Sequence, residues 1–204
     1  MGRPKLDFNP TREKILHAAL KVFLEKGFAG TSMSMIAKEA QINQSLIYHH
    51  FQNKAELWKT IKEEFAHHNY PLGDLQVNAS TNLHDFIAEA VQARFNFYLN
   101  NPEIIRMMNW QRLEMNQTEL AGKNIGAYNT LIEGLTQLKS LGKIRQNIDL
   151  ENISDFLCSA ITAPLYDHLE QFRNDCEYKD RYLRTVIDYI VVGLSSATVK
   201  APAS

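Results

Sequence analysis

Apolar residues recur along this chain at three- and four-residue intervals and nowhere alternate over a useful length, so the pattern predicts helices and no strands. Ile15, Ala18, Ala19, Val22 and Phe23 form the first stripe. Asn9 and Pro10 open it as cap and first-turn proline, and Gly27 stops it. Two short patterns follow. Thr31 caps one, with Met33, Ile36, Ala37 and Ala40 apolar; after Gln41 and Ile42, Asn43 caps the next, which runs to His50. Asn53 caps a fourth helix carrying Leu57, Trp58, Ile61 and Phe65, and the Pro71-Leu72-Gly73-Asp74 break then marks a domain boundary. Beyond it a helix starts at Thr81 or Asn82, and Asn101-Pro102-Glu103 restarts another. Asn124 to Leu141 is a helix interrupted at Gly126 and Gly134, and Lys143 to Ile148 is extended. Asp149 caps a long segment that Pro164 kinks or breaks, and Tyr178 to Ala197 is the last helix. The expected fold is all-α, with domains at 1–70 and 71–204.

Helices as short as the second and third are marginal alone and must be held against neighbours. Joined by a turn of three or four residues they match a helix-turn-helix, whose second helix enters a DNA major groove. Ile42, Ile47 and Phe51 are the apolar positions that turn inward. At about 100° per residue, Ser45 and His49 then lie opposite Ile47, with Gln44, Leu46 and Tyr48 on the flanks. This face offers amide, hydroxyl, phenol and imidazole groups to base edges and phosphates, and no carboxylate falls between Asn43 and Gln52.

These residues resemble the TetR family of one-component transcriptional regulators. The family's leading helix ends in an aromatic and a glycine, matched by Phe23-Leu24-Glu25-Lys26-Gly27-Phe28. Its threonine and Ile-Ala pair are matched by Thr31-Ser32 and Ile36-Ala37. Its closing motif is matched by Ile47-Tyr48-His49-His50-Phe51-Gln52-Asn53-Lys54-Ala55-Glu56-Leu57. The likeness covers about residues 10 to 65 without a gap. It departs at Gln41, where the family has glycine in the turn, and at Gln44, Ser45 and Leu46, where small or basic residues are usual. A positive φ at Gln41 costs on the order of 1 kcal/mol. The resemblance implies a homodimeric regulator, expected to be a repressor, that binds a pseudo-palindromic site in double-stranded DNA and is released by a small-molecule effector. It implies an N-terminal three-helix DNA-binding domain and a helical ligand-binding and dimerisation domain. Gln44 and Ser45 are the expected base readers, with Leu46 beside them; Thr31, Tyr48, His49 and Lys54 are the expected phosphate contacts.

The last two helices are more apolar than one packed face requires, so their stripes are either all internal core or partly buried against a second subunit. The resemblance implies a four-helix interface between subunits, to which Phe156, Ala160, Ile161, Leu165, Phe172, Val186 and Ile190 are assigned. Met and aromatic residues crowd the region 83–170. Singly each reads as core packing; together Arg94, Phe95, Tyr98, Met107, Met108, Trp110, Arg112, Tyr128 and Phe156 resemble the adaptable lining of a ligand pocket. Arg94 or Arg112 either anchors an acidic ligand group or pairs with Glu89, Glu114 or Glu119.

Charge sharpens the division. The 204 residues carry a net −1, yet residues 1–70 hold ten basic and seven acidic side chains, a net of +3, and the remainder a net of −4. The basic end is the helix-turn-helix end, as phosphate binding requires. With 45% hydrophobic and 22% charged residues, no membrane-length apolar run and no secretory centre near Met1, the expectation is a cytoplasmic globular protein. Cys158 and Cys176 read as reduced thiols in that setting. His49-His50, His67-His68, His84 and His168 lack the i, i+4 spacing of a metal site, and no GxSxG, GxxxxGKS/T or CxxC motif occurs. No catalytic residue, metal or cofactor is expected.

Overall fold

The computed structural model describes residues 9–69, 77–114 and 125–196, the side chains of 65–69 and 125–129 excepted. The break from Pro71 to Asp74, Asn124 and Ala197 lie outside the described residues, as do the side chains of Phe65, His67, His68 and Tyr128. Among the described residues there are nine helices and no strand: α1 (Pro10–Lys26), α2 (Met33–Glu39), α3 (Gln44–His50), α4 (Lys54–Asn69), α5 (Leu83–Asn100), α6 (Pro102–Leu113), α7 (Ile125–Ser140), α8 (Leu150–Asn174) and α9 (Cys176–Leu194). They fall into two units. One comprises Met1–Phe65 with Arg106–Gly122, the other Ala66–Ile105 with Lys123–Ser204. The segment from Arg106 therefore joins the N-terminal helices, which the contiguous division at residue 70 did not anticipate.

In the first unit, Asn9 starts α1 by accepting the Thr11 and Arg12 amides at 3.1 and 3.2 Å. Gly27, at φ 71°, ends it in the left-handed region that favours glycine. Ile15, Ala19 and Phe23 of α1 meet Ile36, Ile47, Leu57 and Trp58, all with 0% exposure. Phe23 and Phe28 both approach Trp58 edge-on, at 4.9 and 5.6 Å between ring centres. Each large aliphatic or aromatic side chain so buried contributes roughly 1.5–3 kcal/mol. Arg12 pairs with Glu64 and Lys21 with Glu39, tying α1 to α4 and α2. Such exposed pairs add little stability beyond orientation.

In the second unit α5 packs against α8 and α9, with Phe95 and Phe172 edge-on at 5.0 Å. α7 runs unbroken through Gly126 and Gly134. The expected interruption is absent because Gly134 serves packing: a β-carbon there would sit 2.6 Å from Cε2 of Phe86. Within Lys143 to Ile148, Ile144 pairs with Ser195 in one antiparallel bridge and a turn follows at Gln146 and Asn147, so the expected extended run is kept only in its first part.

Pro164 does not end α8, and the expected kink lies one turn later, at His168 (φ −126°, ψ 23°). Proline removes the amide that would donate to the Ala160 carbonyl. The Tyr182 hydroxyl of α9 donates to that carbonyl instead, at 2.5 Å. Asp175 then closes α8 and caps α9, accepting the Tyr178 amide at 2.8 Å. No helix among the described residues is long and apolar enough to cross a membrane.

Candidate nucleic-acid interface

α2 and α3 are joined through a full Schellman turn: the Gln41 amide donates to Lys38 O at 3.2 Å and the Ile42 amide to Ala37 O at 3.1 Å. That motif needs a left-handed residue, and Gln41 takes it, with φ 52°. The family's usual glycine would hold this conformation without strain, so about 1 kcal/mol of strain is accepted here. Asn43 caps α3, its Oδ1 accepting the Ser45 amide at 3.1 Å. Ile47 and Phe51 anchor the helix inward, at 0% and 3% exposure, and Ile42 is half-buried. With that face committed, Gln44, Ser45, Leu46, Tyr48 and His49 all stand exposed. Tyr48 leaves half of its surface open, at 50%. Glu56, the carboxylate nearest in sequence after the helix, is occupied: its Oε2 accepts the Gln52 amide at 2.6 Å, while its own amide donates to Asn53 Oδ1 at 2.9 Å.

Two expected phosphate contacts are placed otherwise. Thr31 is buried at 3% exposure, its hydroxyl donating to Gly27 O at 2.6 Å. The cap of α2 is Ser32, whose exposed Oγ accepts the Met35 amide at 3.3 Å. Either of two adjacent hydroxyl residues satisfies the capping rule, and the one not needed inside takes the role. Lys54 also turns inward, its Nζ donating to Phe28 O and Thr31 O at 2.5 and 2.7 Å and lying 4.3 Å from the Phe28 ring centre. Partial burial lowers its pKa, opposed by the nearby Glu114 carboxylate.

The residues expected to line a ligand pocket divide between the two units. Met107, Met108, Trp110 and Arg112 belong to the unit of the helix-turn-helix; Arg94, Phe95, Tyr98, Tyr128 and Phe156 belong to the other. Trp110 donates its indole N–H to Leu24 O at 3.3 Å, so it braces α1. Phe95 is core against Phe172, and Tyr98 meets Phe97 edge-on at 5.1 Å. Phe156 is 59% exposed and encloses nothing. Arg94 is buried inside the second unit; beside it, burial pushes the Cys158 thiol up more than the Arg94 guanidinium pulls it down. A cavity of about 530 Å³ opens between α5 and α9, lined by Gln92, Asn96, Lys179, Asp180, Leu183, Arg184 and Ile187. Of the expected residues in this unit with described side chains, Arg94, Phe95, Tyr98 and Phe156, none is in its lining.

The apolar surface of α8 and α9 is likewise redistributed. Ile161, Leu165, Phe172, Val186 and Ile190 are buried within their own subunit, and Ala160 is half-buried. The side chains left outward are Phe156, Tyr189 and Val192, with Ser159, Ala163 and Thr185 among them. Helical periodicity identifies apolar residues without saying which face the subunit itself consumes. Tyr189 and Val192 stand outward although the pattern did not single them out.

Residues 15–61 match the family model described as bacterial regulatory proteins, tetR family. The chain is 29% identical over 114 residues to the HTH-type transcriptional repressor SCO4008 of Streptomyces coelicolor, covering 56% of each chain. It is 39% identical over 61 residues to the HTH-type transcriptional regulator UidR of Escherichia coli, covering 30% of this chain and 31% of that one. The chain thus spans 56% of the length of SCO4008 and 31% of that of UidR. Among solved structures, Salmonella enterica GusR shares the fold with a TM-score of 0.70 and 23% identity, over 94% of this chain and 99% of that one.

Proposed function

We propose that this chain, a tetR-family protein by its residues 15–61, is a ligand-responsive transcriptional regulator that binds double-stranded DNA as a homodimer. One observation carries the reading. A seven-residue helix is anchored by Ile47 and capped by Asn43 while Gln44, Ser45, Leu46, Tyr48 and His49 stand exposed with no carboxylate among them. That face has no interior role and suits a major groove. Gln44 is the amide that pairs bidentately with an adenine edge, and Ser45 reads beside it. Tyr48 and His49, with Ser32 at the start of α2, meet phosphates.

A head with a net charge of only +3 binds weakly alone, so useful affinity needs two. Phe156, Tyr189, Val192 and the small Ala160 and Ala163 supply the subunit contact. The two recognition helices then meet successive major grooves about 34 Å apart on a pseudo-palindrome. By likeness to SCO4008, a transcriptional repressor, its bound state represses. The second unit takes the effector, with the buried Arg94 guanidinium suited to an acidic group. An effector that favours a head spacing unable to meet both half-sites lowers DNA affinity by its differential binding. The protein works in the cytoplasm, where its DNA is, and carries out no catalysis.

Selection from a random duplex library, followed by fluorescence anisotropy across a KCl series, tests the reading. A two-fold-related enriched sequence with salt-sensitive affinity is expected. Helices that serve only to bind a partner protein predict no enriched sequence.

A further inference from the structure

The turn between α1 and α2 is held from two places outside the helix-turn-helix. Lys54, at the start of α4, donates to the carbonyls of Phe28 and Thr31 at 2.5 and 2.7 Å. Glu114, just past α6, accepts the Ala29 amide at 2.9 Å and favours the charged form of Lys54. Charge-assisted bonds of this kind are roughly twice as strong as neutral ones. The same turn leads into the Ser32 cap, so it sets where α2 begins. Through the Schellman bonds of Gln41 and Ile42 it also sets where α3 lies. Lys54 can reach a phosphate only by giving up both carbonyls and its place over the Phe28 ring.

We propose that Lys54 and Glu114 are positioning residues for DNA binding: together they fix the 28–31 turn and hence the recognition helix, Lys54 acting through that turn and touching no phosphate. The proposal rests on the DNA-binding reading above. It extends that reading to Glu114, which lies far outside the helix-turn-helix in sequence.

The test uses the full chain and its selected duplex, with anisotropy read across a KCl series for Lys54→Gln, Lys54→Arg, Glu114→Ala and Glu114→Gln. Lys54→Gln raises Kd about tenfold at every salt concentration and leaves the slope of log Kd against log [KCl] unchanged, while Lys54→Arg recovers part of the loss. A lost phosphate contact in each subunit would instead flatten that slope by about 1.8 per dimer, and that result overturns the proposal. Glu114 gives the sharper contrast. Removing an acid from a DNA-binding head strengthens binding on electrostatic grounds alone, whereas loss of the turn weakens it. Glu114→Ala is expected to bind about fivefold more weakly, and Glu114→Gln, whose amide oxygen still accepts the Ala29 N–H, close to wild type. Tighter binding by Glu114→Ala overturns the proposal. Circular dichroism checks folding, and if Lys54→Gln does not fold, the Glu114 pair decides alone. The wild-type titration is read separately, so failure of the DNA-binding reading is distinguished from failure of the positioning roles.

Discussion

Phe156 is the residue on which the assembly can be tested with least ambiguity, because the isolated subunit makes little use of it. It leaves 59% of its surface open on α8, and Tyr189 leaves 76% on α9. Taking about 200 Å² for an aromatic side chain, each Phe156 keeps about 120 Å² in water. Burying both copies at roughly 25 cal/mol per Å² is worth about 6 kcal/mol. Part of this is lost to side-chain ordering and imperfect fit, so about 3 kcal/mol is a conservative share of dimer affinity. Phe156→Glu removes it and adds two carboxylates to a contact lined by apolar and small residues. Dimer Kd should rise at least about a hundredfold. Sedimentation velocity across a dilution series would read this, with an unchanged circular dichroism spectrum, since the subunit core is untouched. Ile161 is the control: at 1% exposure it belongs to the subunit's interior. Ile161→Ala should cost about 2–5 kcal/mol of folding stability without a specific effect on association. A Phe156→Glu protein that dimerises as tightly as wild type would refute the assignment of this face.

Three other regions yield predictions. Tyr48→Ala should weaken binding to all duplexes and lower the salt slope, whereas Gln44→Ala should relax base preference at one position per half-site by about 1–3 kcal/mol; paired titrations on selected and scrambled duplexes separate the two. Gly27→Ala should destabilise the protein by roughly 2–4 kcal/mol in thermal melts, since φ is 71° and the new β-carbon meets the Glu114 carboxylate and lies 2.7 Å from the Trp110 ring. Trp110→Ala should relieve part of that cost; a fully additive pair would show that the clash is not its source. Burial holds Lys62 at a pKa of about 8, near Gln111, while the unfolded chain keeps its lysine near 10.5. The unfolded state therefore binds more protons between those values, and stability rises with pH across that window. Urea unfolding at about pH 7 and about pH 9.5 should show a gain in wild type, on the order of 1–2 kcal/mol, that Lys62→Met lacks.

What could be read before folding was mostly local. Asn9, Asn43, Asn53 and Asp149 act as caps because a cap depends on the few residues after it, and the inward turn of Ile47 and Phe51 follows from helical spacing alone. The strained Gln41 was legible too, because a turn of that length demands a left-handed residue whatever side chain stands there. Less legible were the residues whose surroundings depend on distant partners. Lys54 looks like a free cation until the Phe28 and Thr31 carbonyls are brought to it. Gly134 looks like a helix breaker until the Phe86 ring fills its place, whereas the kink expected from Pro164 is present, one turn later at His168, with Tyr182 supplying the missing donor. Trp110 and Glu114 belong to α1 and its turn by packing across more than eighty residues, a relation that periodicity does not carry.

Hydroxyl-radical footprinting of the full chain on its selected duplex tests the central claim most directly. Two protected patches on one face of the helix, related by a two-fold axis and centred about 34 Å apart, are expected, both fading as KCl rises. A single patch, or uniform protection that ignores sequence, would mean that the Gln44–His50 helix does not read DNA in the way its exposed face suggests.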